Sequence, residues 1–253
     1  MMKAKIALQL WSIQEMMQKD FFATLKQVKD MGYDGVEFAG YEGVQAKELA
    51  EFLKTIDLKV AGSHIGFEAL EHRLEEVVAF EKEIGNQRII CPYASFKTLE
   101  EWQLFFSKMN SIQKRLAEVG MTLIYHNHSH EFTEIPTVSI LDEMLQTVPN
   151  VKLEVDTYWV QNAGEQVIPW LEKHRSSIAL LHIKDMLIMS DGEKESTEIL
   201  SGILPIRSYV EWAKSADIPW LVVEQEAFQR LTPMESAAKN IQALKTIVEE
   251  VYV

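Results

Sequence analysis

The sequence predicts an α/β protein that folds as a single (β/α)8 TIM barrel, with residues 1–253 forming one domain. Short aliphatic and β-branched segments recur about every thirty residues, and each is followed by a longer segment with helical spacing. The length of 253 residues is typical of one such barrel. A doubly wound open sheet is the alternative, but no G-x-G-x-x-G turn follows the first predicted strand.

Eight segments have the length and composition of buried parallel strands. They span residues 6–10, 35–38, 60–64, 88–91, 122–126, 152–156, 179–183 and 220–224. Strands that alternate with helices form a parallel sheet, and eight of them can close without leaving an exposed edge. The pattern therefore favours a closed barrel.

The segments between the strands begin and end with recognisable helix signals. Asp20 precedes the periodic segment FFATLKQVKDM, Thr98 and Glu101 have the spacing of a capping box, and Thr232 precedes a proline. Six predicted turn residues stand just before the next strand: Gly32, Asp57, Gly85, Gly120, Asn150 and Asp217. Residues 186–204 separate the seventh strand from its helix and are predicted to form a loop over the barrel mouth, as a lid or alternatively as a surface insertion.

The composition excludes several classes of protein. Lys and Arg total 25 against 38 Asp and Glu, and the net charge of -13 would repel nucleic acid and anionic lipid. No apolar segment approaches the ~20 residues of a membrane span, and the N-terminal segment lacks a secretory core. The single cysteine, Cys91, cannot form an internal disulfide and is expected to be a buried apolar side chain. We expect a cytoplasmic protein whose partner is a small molecule, and the sequence leaves homo-oligomerisation open.

Polar side chains cluster at the carboxyl ends of the last four strands. Residues two apart share one face of a strand, and apolar residues such as Val155, Leu181 and Val223 would face the helices. The residues that face inward are then His126, His128, Glu154, Asp156, His182, Lys184, Glu224 and Glu226. Because active sites in this fold lie at the carboxyl ends of the strands, these side chains mark the candidate active site.

Four of the inward residues form a set suited to a divalent metal. Isolated charges inside a barrel are costly unless they are paired or bind a metal. The nitrogen and oxygen ligands suit Mn, Zn, Co or Fe, with Mg as a further candidate, and the absence of thiolates disfavours a structural zinc. The predicted ligands are His126, Asp156, His182 and Glu224. Any one of them could instead be a hydrogen-bonded polar residue at the end of its strand.

Other polar residues near the strand ends are candidates for proton transfer and substrate binding. The candidates for proton transfer are Glu131, His128, Glu226 and Lys184. Lys184 could instead form an ion pair with its neighbour Asp185. In the first half of the barrel, the candidates for substrate binding are Gln9, Trp11, Glu37 and His64, although Trp11 could instead be an apolar residue of the core. His72 and His174 lie on predicted helices and are expected to be solvated.

Six short motifs occur at the predicted strands. They are LQLWS, GYDGVEFAG, YHNHSHEF, LEVDTYW, LLHIKD and LVVEQE. Each motif alone is weak, but their order and spacing are fairly specific. Over nearly its whole length, the chain resembles the xylose isomerase-like TIM barrel superfamily of sugar phosphate isomerases and epimerases.

The resemblance implies a divalent metal held by Asp156, His182 and Glu224. Many relatives have a ligating Glu on strand five, where this chain has His126. Ketose epimerase relatives have a His three residues after the strand-six Asp, where this chain has Trp159, a further candidate for substrate binding. These departures weigh against the symmetric epimerase mechanism, in which two glutamates act as paired bases.

The YHNH motif resembles more closely the branch that contains inosose dehydratase-like proteins. The resemblance implies a metal-dependent isomerase or epimerase that acts on a sugar, sugar phosphate or keto-polyol through an enediolate intermediate. Glu131 is the first candidate for the base, and the alternative is that it only anchors the loop after strand five. One alternative is a lyase that dehydrates a keto-sugar or inosose by the same first step, and another is a non-catalytic sugar-binding barrel. Metal retained during purification would separate the enzymes from the binding protein.

Overall fold

Eight parallel strands close into a barrel in the computed structural model, which describes residues 3–253. Neighbours around the barrel follow the order of the strands in the chain, and the last strand closes against the first. The barrel strands are β1 (Lys5–Gln9), β2 (Gly35–Phe38), β3 (Lys59–His64), β4 (Arg88–Cys91), β5 (Thr122–His126), β6 (Lys152–Asp156), β7 (Ile178–Ile183) and β10 (Trp220–Val223). All eight predicted strands are confirmed, and none of their ends is displaced by more than one residue.

The segment after β7 forms a hairpin rather than the predicted loop. Its strands β8 (Asp185–Ile188) and β9 (Lys194–Thr197) are antiparallel and form a separate two-stranded sheet. Gly192 in the connecting turn has a φ of 91°, and Asp-Gly is a typical hairpin turn sequence. The prediction of a loop was wrong because the residues of β9 are mostly polar and show no apolar alternation. A role as a lid stays a prediction.

Helices connect the barrel strands and surround them. They are α1 (Gln14–Lys19), α2 (Phe21–Met31), α3 (Ala46–Thr55), α4 (Phe67–His72), α5 (Leu74–Glu83), α6 (Leu99–Glu118), α7 (His130–Thr133), α8 (Ile140–Thr147), α9 (Thr157–Asn162), α10 (Val167–Lys173), α11 (Ile206–Ser215) and α12 (Pro233–Val251). The predicted starts are confirmed: Asp20 caps α2, and capping boxes beginning at Thr98 and Thr232 start α6 and α12. All six predicted turn residues have a positive φ, the conformation in which many helices end.

Apolar side chains fill two regions that the barrel wall separates. Outward residues such as Val155, Leu181 and Val223 pack against the helices, as predicted. A smaller cluster fills the floor of the barrel: Ala7, Ala61, Ile90, Ile124, Leu180, Trp220 and Val222. The next inward residues along several of these strands are polar, and strand pairing places His182 beside Asp156. The candidate site therefore lies above an apolar floor, at the carboxyl ends of the strands.

Two histidines on helices differ in their surroundings. His72 is exposed, as expected. The expectation that His174 is solvated was wrong, because its ring is buried between α10 and α8. Its Nε2 lies 2.7 Å from Asp142 Oδ1, and its Nδ1 lies 2.9 Å from the Trp170 carbonyl oxygen. Spacing along one helix could not reveal this contact, because it depends on how two helices pack.

Cys91 is fully buried in the apolar layer around the barrel, and burial raises the pKa of its thiol to about 12. The thiol is therefore an apolar filler at neutral pH, as expected. Among residues 3–253, no helix is both long and apolar enough to span a membrane.

Candidate active site

The four predicted ligands converge at the carboxyl ends of neighbouring strands, and we call them the metal set: His126, Asp156, His182 and Glu224. One donor atom from each lies within 4.8 Å of the donor atoms of the others. His182 Nδ1 lies 3.1 Å from Glu224 Oε2, and His126 Nε2 lies 3.6 Å from Asp156 Oδ2. All four side chains are buried. The strand alternation therefore brought together residues that are far apart in the sequence.

Unpaired polar atoms at this point fit a bound cation. Both ring nitrogens of His126 and Asp156 Oδ2 are buried without a hydrogen-bond partner. Asp156 Oδ1 accepts hydrogen bonds from the backbone N–H groups of Tyr158 and Trp159, so its carboxylate is fixed at the start of α9. Burying unpaired polar atoms is costly, whereas a divalent cation would satisfy an imidazole nitrogen and a carboxylate oxygen together. The donor set thus suits a divalent metal.

Lys184 supplies positive charge next to the metal set. Its Nζ lies 2.9 Å from Asp156 Oδ2, 2.7 Å from Glu224 Oε2 and 3.0 Å from Glu226 Oε2. The Asp156 contact is an ion pair without hydrogen-bond geometry. Burial lowers the pKa of Lys184, but the three carboxylates outweigh it and hold the pKa well above its ordinary value. Lys184 therefore stays a charged ammonium. It does not pair with its neighbour Asp185, which accepts hydrogen bonds from backbone N–H groups, including that of Leu204.

A second group of charged side chains lies deeper in the barrel, and we call it the buried ring: Glu37, His64, Glu154 and His182. Gln9 donates a hydrogen bond of 2.7 Å to Glu37 Oε1. Burial lowers the pKa of His64, but Glu37 and Glu154 outweigh it and raise the pKa to about 9. Glu154 was predicted to face inward, yet its sequence position gave no sign of these partners.

A cavity of about 380 Å³ opens above the metal set. Its lining includes Trp11, Tyr93, His64, His126, His128, Glu224 and Glu226. Its volume falls in the usual range of small-molecule sites. Gln9 and Glu37 lie below the cavity and do not line it, so their predicted contact with substrate stays a prediction.

Aromatic side chains form part of the cavity wall. Trp11 is 49% exposed and lies in the 3-10 helix Leu10–Ile13, directly after β1. Tyr93, which follows β4, is 54% exposed and was missed, because its segment lies outside any periodic pattern. Trp159 lies beside the cavity, with its ring 5.5 Å from that of His128 and 5.4 Å from Lys184 Nζ.

Glu131 turns away from the cavity. Tyr125 Oη donates to Glu131 Oε1 at 2.7 Å, and the His128 backbone N–H donates to Glu131 Oε2 at 2.8 Å. Glu131 is buried, and it does not line the cavity above the metal set. These contacts anchor the turn after β5, and the predicted role of Glu131 as the base stays a prediction.

Two other predicted proton-transfer residues do line the cavity. Burial, reinforced by His126, lowers the pKa of His128 to about 2, so its imidazole is neutral at physiological pH. Burial raises the pKa of Glu226, which Lys184 partly offsets. A carboxylate with a raised pKa, partly open to the cavity, is suited to accept a proton near neutral pH.

The fold and the site define the chain as a TIM barrel with a candidate metal centre at the carboxyl ends of its strands. Residues 25–247 match the family described as xylose isomerase-like TIM barrel, and the chain belongs to that family.

The chain is similar over almost its whole length to proteins named as dehydratases and as isomerases or epimerases of sugars. Inosose dehydratase of Mesomycoplasma hyopneumoniae (strain 7448) is 23% identical in an alignment 290 residues long. The alignment covers 97% of this chain and 96% of the relative. The crystal structure of a sugar phosphate isomerase/epimerase from Parabacteroides distasonis has a TM-score of 0.81 at 20% identity and covers 97% of this chain and 94% of its own. An IolI protein with a bound zinc atom has a TM-score of 0.79 at 15% identity, covering 98% and 99% of the two chains. At these identities the structural matches show a shared fold.

Proposed function

We propose that the protein is a divalent-metal-dependent isomerase or epimerase that acts on a small sugar or keto-polyol. The observation that carries this proposal is the convergence of the metal set directly below the 380 Å³ cavity. The His126 imidazole and Asp156 Oδ2, which lack hydrogen-bond partners, suit an ion that also accepts substrate oxygens. The bound zinc in the IolI structure supports a divalent metal in this fold.

The metal set would hold the ion, which when bound supplies Lewis acidity toward a carbonyl or hydroxyl oxygen. The chain itself positions the substrate around that point. Trp11 and Tyr93 offer exposed aromatic faces to the apolar side of a sugar ring. Lys184 keeps the carboxylates of Asp156 and Glu224 ionised, so that they stay available as ligands.

Glu226 is the best-placed group to take the carbon-bound proton next to the substrate carbonyl. It lines the cavity and carries a raised pKa, whereas both oxygens of Glu131 are occupied below the turn after β5. Lys184 Nζ lies 3.0 Å from Glu226 Oε2 and fixes its direction. Delivery of the proton to the former carbonyl carbon, with the proton of the adjacent hydroxyl passing to the former carbonyl oxygen, gives an isomer. Delivery of a proton from a second group to the opposite face of the same carbon gives an epimer.

A dehydratase is the second candidate. It is favoured by the inosose dehydratase from Mesomycoplasma hyopneumoniae, which matches 97% of this chain. The first step would be the same removal of a proton by Glu226, after which a hydroxyl group leaves the adjacent carbon. The two candidates therefore differ in their products rather than in their ligand residues.

Deuterium exchange tests the shared first step. Protein stripped with a chelator and reloaded with Mn, Zn or Co would be incubated in deuterated water with ketohexoses and keto-inositols. We expect NMR spectra to show loss of the proton next to the carbonyl only with the loaded protein. Asp156→Asn, which lacks a ligand, is the matched control. Sugar binding without exchange, or a protein that retains no metal, would favour the non-catalytic barrel.

Mass spectrometry of the product separates the two candidates. An isomerase or epimerase leaves the mass of the substrate unchanged apart from the incorporated deuterium, whereas a dehydratase removes one molecule of water. A product that has lost water would therefore contradict the first candidate and support the second.

A further inference from the structure

The buried ring has two carboxylates that lie below the cavity and outside its lining. Glu37 and Glu154 are 0% exposed, and neither lines the cavity. His182 Nε2 lies 2.8 Å from Glu37 Oε1 and 3.2 Å from Glu154 Oε2. His64 Nε2 contacts the same two oxygens at 3.0 and 2.9 Å. Both carboxylates are thus directed at the imidazole that also belongs to the metal set.

Irregular strand pairing occurs at both of these glutamates. The register shifts between Val36 and Glu37, where β2 pairs with β3, and between Leu153 and Glu154, where β6 pairs with β7. Such irregularities near active sites re-aim side chains. A Cβ atom added to Gly62 would collide with Ile90 Cδ1 and lie 3.2 Å from Glu37 Oε2, so the glycine leaves room for the Glu37 carboxylate.

The two carboxylates determine which nitrogen of His182 can bind a metal. A neutral imidazole carries one proton, and the nitrogen without it is the ligand. Ionised carboxylates only accept hydrogen bonds, so they hold the proton on Nε2. Nδ1 faces Glu224 Oε2 at 3.1 Å and Asp156 Oδ2 at 3.9 Å, so the proton that it shares with Glu224 in the metal-free protein is the one that a bound metal would replace. These oxygens belong to the metal set.

We propose that Glu37 and Glu154 are positioning residues that hold His182 as the Nε2–H tautomer and direct its Nδ1 at the bound metal. This inference rests on the proposed function, because it requires a metal at the metal set. Metal-bound histidines commonly donate their other N–H to a carboxylate, and losing that partner typically lowers metal affinity about 10–100-fold. Glu37 makes the shorter contact with His182 and is the residue to vary first.

Two substitutions of Glu37 separate the loss of an acceptor from a change of packing. Glu37→Met keeps the approximate volume but cannot accept the proton, and it should lower Zn or Mn affinity about 10–100-fold in calorimetric titration. Glu37→Gln keeps an amide oxygen that can accept, and its affinity should stay within a few-fold of wild type. Equal losses in the two variants would overturn the inference.

Glu81→Met is the matched control. Glu81 is also 0% exposed, but its carboxylate is bound by Tyr41, Ser63 and Asn86, outside the barrel. It should lower stability without changing metal affinity. A fall in affinity as large as that of Glu37→Met would show that loss of any buried carboxylate is enough, and would overturn the inference.

Nitrogen-15 NMR of the zinc-loaded wild-type protein tests the tautomer without a variant that could fail to fold. We expect His182 to show a metal-bound Nδ1 and a protonated Nε2 whose proton exchanges slowly with water. A metal-bound Nε2, or a second equivalent of metal held by the buried ring, would overturn the inference. A wild-type protein that binds no metal overturns the proposed function as well, whereas unchanged affinity in Glu37→Met overturns only this inference.

Discussion

Replacing Lys184 with Met should make the stability of the protein depend strongly on metal. The ammonium is fully buried and lies within 3.0 Å of Asp156, Glu224 and Glu226. Met has a similar length but no charge, so Lys184→Met leaves three carboxylates facing one another. Removing one partner from a buried ion pair typically costs about 3–5 kcal/mol, because an uncompensated charge stays buried.

The magnitude can be measured as a change in Tm. For a chain of this size, 1 kcal/mol shifts Tm by about 2–4 °C, so metal-free Lys184→Met should melt about 6–20 °C below wild type. A divalent ion at the metal set touches two of the same carboxylates and should restore much of that loss. Because the ammonium no longer repels the ion, the variant should also bind metal more tightly than wild type.

The assay is thermal melting of wild type and Lys184→Met with chelator and with Mn or Zn. The same melts at several pH values test the electrostatic cause. Burial raises the pKa of Glu224, but Lys184 outweighs it and holds the pKa well below its usual range. A carboxylate with a lowered folded-state pKa contributes stability above its unfolded pKa of about 4, and loses it as the pH falls. The advantage of wild type should therefore be full at pH 7 and fade below about pH 4. Equal melting of the two metal-free proteins at pH 7, or an equal gain from metal, would refute this account.

Asp156→Asn should lower metal affinity about tenfold or more while destabilising the metal-free protein less than Lys184→Met, because Asn can still cap α9; calorimetric titration and melts check this. His126→Ala should likewise lose metal, as measured by metal analysis after dialysis. Glu226→Gln should keep metal but lose deuterium exchange, whereas Glu131→Gln should keep both; the reverse pattern would make Glu131 the base. A phosphorylated ketose should bind about tenfold or more weakly than the free ketose at low salt, because the cavity presents Glu224 and Glu226; competition titrations at two salt concentrations test this.

The barrel and its inward residues could be predicted because both depend on short-range sequence patterns. The alternation of faces along β6 and β7 was enough to predict that Asp156 and His182 face inward. Leu180 and Val222, two residues before an inward polar residue on their strands, also face inward and form part of the apolar floor. The starts of helices could be predicted as well, because Thr98 and Thr232 form capping boxes with residues three positions further along the chain. Each of these features is set within a few residues of the chain.

The features that could not be predicted depend on contacts across the barrel or on chain reversal. Glu154 was correctly directed inward, but its contact with His64 joins residues 90 positions apart. Register shifts such as that at Glu154 leave no mark in a pattern of period two. Glu131 follows β5 closely, yet the short helix α7 turns the chain so that its carboxylate meets Tyr125. Proximity in sequence was therefore a poor guide to proximity to the cavity.

The depth of each polar residue limits the role it can have. Glu226 and His128 reach the cavity and can exchange protons with a substrate, whereas Glu37 and Glu154 are sealed beneath it. His182 connects these levels, since its Nδ1 faces Glu224 and its Nε2 faces Glu37. Glu37 also contacts His64, which lines the cavity, but its shorter contact is with His182, at 2.8 Å against 3.0 Å. A variant of Glu37 should therefore alter metal affinity before it alters the choice of substrate. A variant of Glu37 that changed substrate preference at unchanged metal affinity would contradict this order.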